Sequence, residues 1–284
     1  MSINTETLAL AKNYINKKVE LNSTETLTAA KEYTDSKINP ELDPDGLAKL
    51  LEQFSLISHR NIYRGKYLGN TVSAAQKSAI QAGTFDDMFV GDYWTINSIN
   101  YRIADIDYWY RCGDVDFNKH HLVIVPDSPM YNAKMNETDT TTGGYVGSQM
   151  YTANLESVKT TTAAAFGDLI LSHREYLVNA VTDGCPSGSA WFDSTIELMN
   201  EIMVYGCKVY SPIGTGAITL TNYTIDKQQL AIFALNPAMV NRRAAYWLRD
   251  VVSSVYFADV SYGSLASCSG ASSSSGVRPV FAIG

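Results

Sequence analysis

Residues 246–284 read YWLRDVVSSVYFADVSYGSLASCSGASSSSGVRPVFAIG. Both ends carry bulky and charged residues in a fixed-looking order: Tyr246-Trp247-Leu248-Arg249-Asp250 at the start, Gly276-Val277-Arg278-Pro279-Val280-Phe281 at the close. Between them lie Ser, Tyr, Gly, Ala, Val and Asp without a clear helical or strand period. A stiff frame around a permissive insert suits a recognition surface, because side chains there can change without disturbing the core. Arg278 in a Gly-Val-Arg-Pro turn is expected to bond backbone carbonyls, or an acid such as Asp250, and so lock the two ends together.

Working outward, the chain of 284 residues holds one large domain and a small appendage. A hydrophobic content of 45% with 18% charged residues is a globular composition. The net charge of −7 argues against nucleic acid as a partner, since phosphates call for a basic face. Eighteen tyrosines lean toward recognition, for Tyr gives contact area and a polar tip at low entropy cost; filling of β-structure is the other use. The N-terminal MSINTETLALAKNYINKK lacks the apolar run of a signal peptide, and no stretch is long and apolar enough for membrane insertion. Cys112, Cys185, Cys207 and Cys268 are far apart, without C-x-x-C spacing, and read as free thiols.

Residues 1–40 contain a repeat: Glu6-Thr7-Leu8, Ala11-Lys12, Tyr14 and Lys18 return as Glu25-Thr26-Leu27, Ala30-Lys31, Tyr33 and Lys37. Thr5 and Thr24 stand where helix N-caps belong. Leu8, Ala11, Ile15 and Val19 form one narrow apolar stripe, and Leu27, Ala30 and Ile38 a thinner one. Helices this short need a partner surface, which other copies of the chain are expected to supply; a solvated, frayed arm is the alternative. Residues 41–61 form a Pro- and Gly-broken linker and a connecting helix, with Leu47, Leu50, Leu51, Phe54 and Ile57 on one face. From Ile62 the chain turns rich in Tyr, Gly, Asp and Asn, and a globular domain is expected over 62–284.

Within it, Ser73-Ala74-Ala75-Gln76 is a capping box and Gly83 the matching helix end. Tyr93–Ile96 and Tyr101–Ala104 flank a turn at Asn97-Ser98 as a hairpin, and Leu122–Val125 is a buried strand stopped by Pro126. Residues 160–181 suggest a helix with an interruption at Gly167. Ser194 with Glu197 suggests a second capping box, opening a helix buried through Ile196, Met199, Ile202 and Met203. Helices interspersed with non-repeating strands predict an α+β fold.

No residue group signals chemistry. Asp114-x-Asp116-x-Asn118 begins like a calcium loop, but Lys119 takes the place of the required Gly and the twelfth position lacks Glu. His120 and His121 are adjacent, so on a strand they face opposite ways and cannot share a metal. P-loop, dinucleotide and nucleophile-elbow motifs are missing, so no cofactor, metal or catalytic residue is expected.

Trp247-Leu248-Arg249 before a small-residue segment, closed by Gly276–Phe281, resembles the end of the C-type lectin-like fold of formylglycine-generating-enzyme-type domains. More narrowly, GDYWTINSINYRIADIDYW, KHHLVIVPDS, GGYVGSQMY, STIELMNEIMVYG and LNPAMVNRRAAYWLRDV, in this order, resemble a domain of phage and prophage tail proteins. The A-K-x-Y repeat is similar to helical segments of phage tail fibres. Some relatives of this fold are variable proteins of diversity-generating retroelements, in which adenines of target codons are randomised. Asn codons treated so never encode Lys, Glu, Gln, Met or Trp, and all five are missing from Asp250–Gly284.

The resemblance implies a C-type lectin-like domain behind an N-terminal helical oligomerisation segment, and a phage tail receptor-binding protein carried on the virion. The implied partners are a bacterial cell-surface receptor, glycan or protein, two further copies in a homotrimer, and other tail proteins at the N-terminal segment. The implied contact positions are Val255, Tyr256, Asp259, Ser261, Tyr262, Gly263, Leu265, Cys268, Ser269, Gly270, Ser273 and Ser274, with Phe257, Ala258, Val260, Ala266 and Ala271 as frame and Cys268 exposed. Oxidase chemistry does not carry over, because the catalytic cysteine pair has no counterpart, and the chain is expected not to be an enzyme. A bacterial surface adhesin of the same fold and a glycan-degrading tail enzyme are the alternative readings.

Overall fold

Tyr67–Gly69 forms a short strand, β1, and Ser73 then opens helix α1 (Ala74–Ala82). Both halves of the capping box are made: the Gln76 N–H donates to Ser73 Oγ at 3.2 Å, and the Ser73 N–H donates to Gln76 Oε1 at 2.9 Å. Gly83, at φ 71°, closes the helix in the left-handed conformation. In the computed structural model, residues 58–212, 228–240 and 243–284 are described, all within the unit Leu56–Gly284. The expected helices of residues 1–40 and the apolar face Leu47–Ile57 lie outside the described residues.

Strands β2 (Tyr93–Ile96) and β3 (Ile99–Ile106) form the hairpin expected from their alternation. Asn97 at φ 50° and Ser98 at φ 64° make the two-residue turn whose twist matches paired strands. β4 (Leu122–Pro126) is buried throughout, and β5 (Tyr131–Ala133) follows. A π-helical turn at Met150–Asn154 leads into α2 (Leu155–Phe166).

Here the chain departs from the expected helix over 160–181. The helix stops at Phe166, a 3-10 turn covers Gly167–Leu169, and His173–Thr182 is strand β6. His173, Glu175 and Leu177 point inward while Arg174, Tyr176 and Val178 are half-buried, a two-residue period that a helix cannot satisfy. β6 pairs along its length with β7 (Cys185–Ser194). The second capping box is also corrected. Ser194 ends β7, and Ile196–Leu198 is strand β8, so no helix opens there. Ser194 and Glu197 do meet, the hydroxyl donating to Glu197 Oε1 at 2.5 Å. The helix begins later, as α3 (Glu201–Tyr205), capped by Asn200, which accepts the Met203 N–H at 2.7 Å. Helix α4 (Ala231–Leu235) precedes the C-terminal strands.

These strands are β9 (Tyr246–Val251), β10 (Tyr256–Val260), β11 (Ala266–Gly270), β12 (Ser275–Val277) and β13 (Pro279–Ile283). The architecture is α+β. One sheet has the order β1-β2-β3-β4-β13-β8, a second β11-β10-β9-β12-β5, and β6-β7 forms a third. β1 is parallel to β2 and β12 to β9; the other pairs are antiparallel. The chain thus leaves the five-stranded sheet at Val277 and enters the six-stranded one at Pro279, with Arg278 at the step between them.

Aromatic rings hold α2 to the six-stranded sheet. Phe166 lies 5.1 Å from Tyr101, 5.4 Å from Phe281 and 6.1 Å from Trp94, all near edge-to-face. Each such buried ring contributes a few kcal/mol through the area it removes from water, and the edge-to-face geometry adds about 0.5–1.5 kcal/mol per pair.

Candidate functional site

β10 and β11 form an antiparallel hairpin in register from Tyr256↔Gly270 to Val260↔Ala266, with β11 at the edge of the five-stranded sheet. The turn is closed by the Ser261 N–H on Leu265 O at 2.9 Å and the Ser264 N–H on Ser261 O at 3.0 Å. Along β10, Phe257, Ala258, Asp259 and Val260 are all buried, so the strand is covered on both faces. It is a base that cannot shift without exposing core.

The large side chains that leave this base are Tyr256, 44% exposed, Tyr262, 72%, and Leu265, 71%. Gly263, Ser273 and Ser274 are exposed with them, while Val255, Ser261, Ser269 and Gly270 are half-buried. Phe257, Ala258, Val260 and Ala271 lie in the core, whereas Ala266 is only half-buried. One expected contact position is buried, and Cys268 is less open than expected. Asp259 is 5% exposed and accepts a hydrogen bond from the Ser269 hydroxyl, because its side chain shares the inward face with Phe257. Burial pushes its carboxyl above the ordinary range, against the pull of Ser269. Cys268 is half-buried opposite Ala258 rather than exposed, and burial, then the nearby Asp259, raises its thiol.

A loop over residues 136–142 grips the hairpin at both of its open ends. The Asn136 N–H donates to Ala271 O at 2.8 Å, and Asp139 Oδ1 accepts from the Ser272 N–H at 2.9 Å and its hydroxyl at 2.7 Å. At the other end the Thr141 N–H donates to Ser254 O at 3.0 Å, and its hydroxyl to Ser253 O at 2.7 Å. Sequence patterning did not reveal this loop, whose only local sign is the run Thr138-Asp139-Thr140-Thr141-Thr142.

Below the hairpin, the charged residues of the frame act as internal fasteners. Arg278 donates through Nε to Pro126 O at 2.9 Å and through both Nη atoms to Met239 O at 3.2 Å, as expected for a carbonyl-binding arginine. Its guanidinium also lies 5.0 Å from the Tyr246 ring centroid. Trp247 Nε1 donates to Ala133 O at 2.9 Å. Arg249 Nη2 meets Glu175 Oε2 at 3.0 Å, and Glu175 Oε1 accepts from Trp109 Nε1 at 2.9 Å with His173 Nε2 at 3.3 Å. Burial disfavours the Glu175 charge, but Arg249 and His173 outweigh it and hold the carboxyl below its ordinary value. Glu197, fed by the Tyr145 hydroxyl at 2.8 Å and by Ser194, is instead pushed up by burial. Residues 173–177, His-Arg-Glu-Tyr-Leu, carry no apolar alternation that would have marked Glu175 as buried.

Among the described residues, no group of three His, Cys, Asp or Glu side chains could hold a metal ion. Asp114 of the calcium-like run is taken by Arg174, at 2.7 and 2.9 Å. His120 and His121 precede β4 and do not lie in a strand: His121 is buried, while His120 stacks on Tyr110 with ring centroids 4.7 Å apart and meets Asp107 at 2.7 Å. Among the described residues no helix is long and apolar enough to cross a membrane. No family model matches the chain, and comparison with curated proteins and with solved structures returned no match.

Proposed function

We propose that this chain is a phage tail receptor-binding protein, and that its C-terminal hairpin contacts a ligand on the bacterial surface by equilibrium recognition, without turnover. One observation carries the reading: a strand buried on both faces, Phe257–Val260, supports a sheet-edge hairpin whose Tyr256, Tyr262 and Leu265 stand out into solvent. Rigid aromatic anchors beside small adaptable residues are the chemistry of antibody loops. A C-type lectin-like identity for the domain belongs to the same reading. It is supported by Trp247, Arg249 and Arg278, which fasten the hairpin's frame to three different parts of the molecule. So do trimerisation and tail attachment through residues 1–40, where several weak sites acting together would supply avidity. The deciding experiment combines Tyr256→Ala, Tyr262→Ala and Leu265→Ala. Adsorption to the host cell is expected to be lost with the melting temperature preserved. Full adsorption by this variant would falsify the assignment.

A further inference from the structure

Beside the start of the hairpin lies a polar groove of about 390 Å³, lined by Thr141, Thr142, Val181, Asp183, Gly184 and Ser254. Its size falls at the lower end of small-molecule sites, roughly 300–1,000 Å³. Three segments distant in sequence build it. The Thr-rich loop is tied to Ser253 and Ser254 by both bonds of Thr141. The tip of the β6–β7 hairpin, with Asp183 at φ 51° and Gly184 at φ 75°, closes the other side. Gly184 approaches so closely that an added Cβ would stand 3.0 Å from Ser254 N, which fixes the tip against the turn.

The exposed lining has a consistent chemistry. It offers the hydroxyl of Ser254, the carboxylate of Asp183 and the remaining capacity of the Thr142 hydroxyl, which bonds Thr140 Oγ1 at 2.9 Å, with Val181 as the one large apolar side chain. Asp183 is exposed, and its carboxylate makes no hydrogen bond or ion pair among the described residues. The lining holds no cation, which disfavours phosphate-rich polymers, and too little apolar surface for a hydrophobic side chain. Two residues beyond Ser254 stands Tyr256, half-exposed, its amide held by Ser253 Oγ at 3.2 Å. Hydroxyls and one carboxylate together match a polyhydroxylated ring.

We infer that this groove is a saccharide subsite, which takes one neutral or amino sugar residue of a surface glycan and extends the recognition surface to Thr142 and Asp183. The inference rests on the receptor-binding reading and names the ligand class for it. Asp183 accepts from ring hydroxyls, and Ser254 and Thr142 donate or accept.

The test uses the full chain and a double variant, Asp183→Asn with Ser254→Ala. Asn tolerates the left-handed backbone at position 183, so the tip keeps its shape. Binding is measured to immobilised bacterial polysaccharides, to polyglycerol-phosphate teichoic acid, and to cells treated with periodate or with protease. Saturable polysaccharide binding by the parent protein, weakened about 10- to 100-fold in the variant at an unchanged melting temperature, supports the subsite. Binding that survives periodate but not protease overturns it and leaves the receptor-binding reading standing. Equal polysaccharide affinity of parent and variant, or preference for the teichoic acid, does the same. A parent protein that binds neither polymer nor cells overturns both.

Discussion

Arg249 and Glu175 meet inside the molecule at 3.0 Å, joining β9 to the hairpin β6–β7 through a pair that is all but sealed from solvent. Neither charge has water to fall back on. Removing one leaves the other buried and uncompensated, which costs far more than losing a surface ion pair. Arg249→Met is therefore expected to destabilise the fold by about 3–5 kcal/mol in chemical denaturation. Adding Glu175→Gln to it should recover part of that loss. Two single effects that simply add would show that the pair is not coupled.

Gly276 lies at the join of frame and hairpin. A Cβ added there would stand 2.5 Å from Pro129 Cβ and 2.6 Å from Ala245 O, and the second of these is backbone that cannot rotate away. Gly276→Ala is expected to cost about 1–3 kcal/mol by overpacking, read from the urea midpoint. The hairpin's exposed side chains should be unaffected in their own solvent accessibility.

Adjacent residues of β10 should respond in opposite ways. Tyr256 stands out from the strand and Phe257 is fully buried. Tyr256→Ala should change stability by no more than about 0.5 kcal/mol, while Phe257→Ala should cost about 3–5 kcal/mol. Comparable losses in thermal unfolding of the two variants would contradict the division into base and display.

His121 makes the fold sensitive to acid. Its Nδ1–H donates to Lys119 O at 2.9 Å and its Nε2 accepts the Trp109 N–H at 3.2 Å, an arrangement made by the neutral ring. Burial lowers it from 6.5 to about 4, against the raising effects of the Lys119 carbonyl and Asp107. The unfolded chain takes up a proton in that window and the folded one does not, so stability falls as pH drops from 6.5 toward about 4. The slope from this one group is at most about 1.4 kcal/mol per pH unit. His121→Gln should flatten the profile of denaturation midpoint against pH over the same range.

What could be read from sequence was what neighbours in the chain settle between themselves. Ser73 with Gln76, the Asn97-Ser98 turn and the apolar run Leu122–Val125 all formed as expected, since each depends on bonds or burial within a few residues. Over 160–181 the Ala-rich run before Gly167 favours a helix that continues, but pairing with β7 makes His173–Thr182 a strand. Ser194 and Glu197 carry a cap's signature and do bond, yet the pairing of β8 with β13 keeps them in strand. The resemblance implies Asp259 as a contact position, and only the covering of both faces of β10 removes it from the surface.

The sequence by itself determined the α+β class, the capping and turn chemistry, and the frame residues at either end of the C-terminal segment, because these rest on short-range geometry and on residue type. The tertiary structure alone decided that Arg278 would mark the step between two sheets, that the loop 136–142 would grip the hairpin at both ends, and that Glu175 would lie against Arg249. Each of these joins groups far apart along the chain, and no local pattern encodes which distant strand will bring its partner alongside.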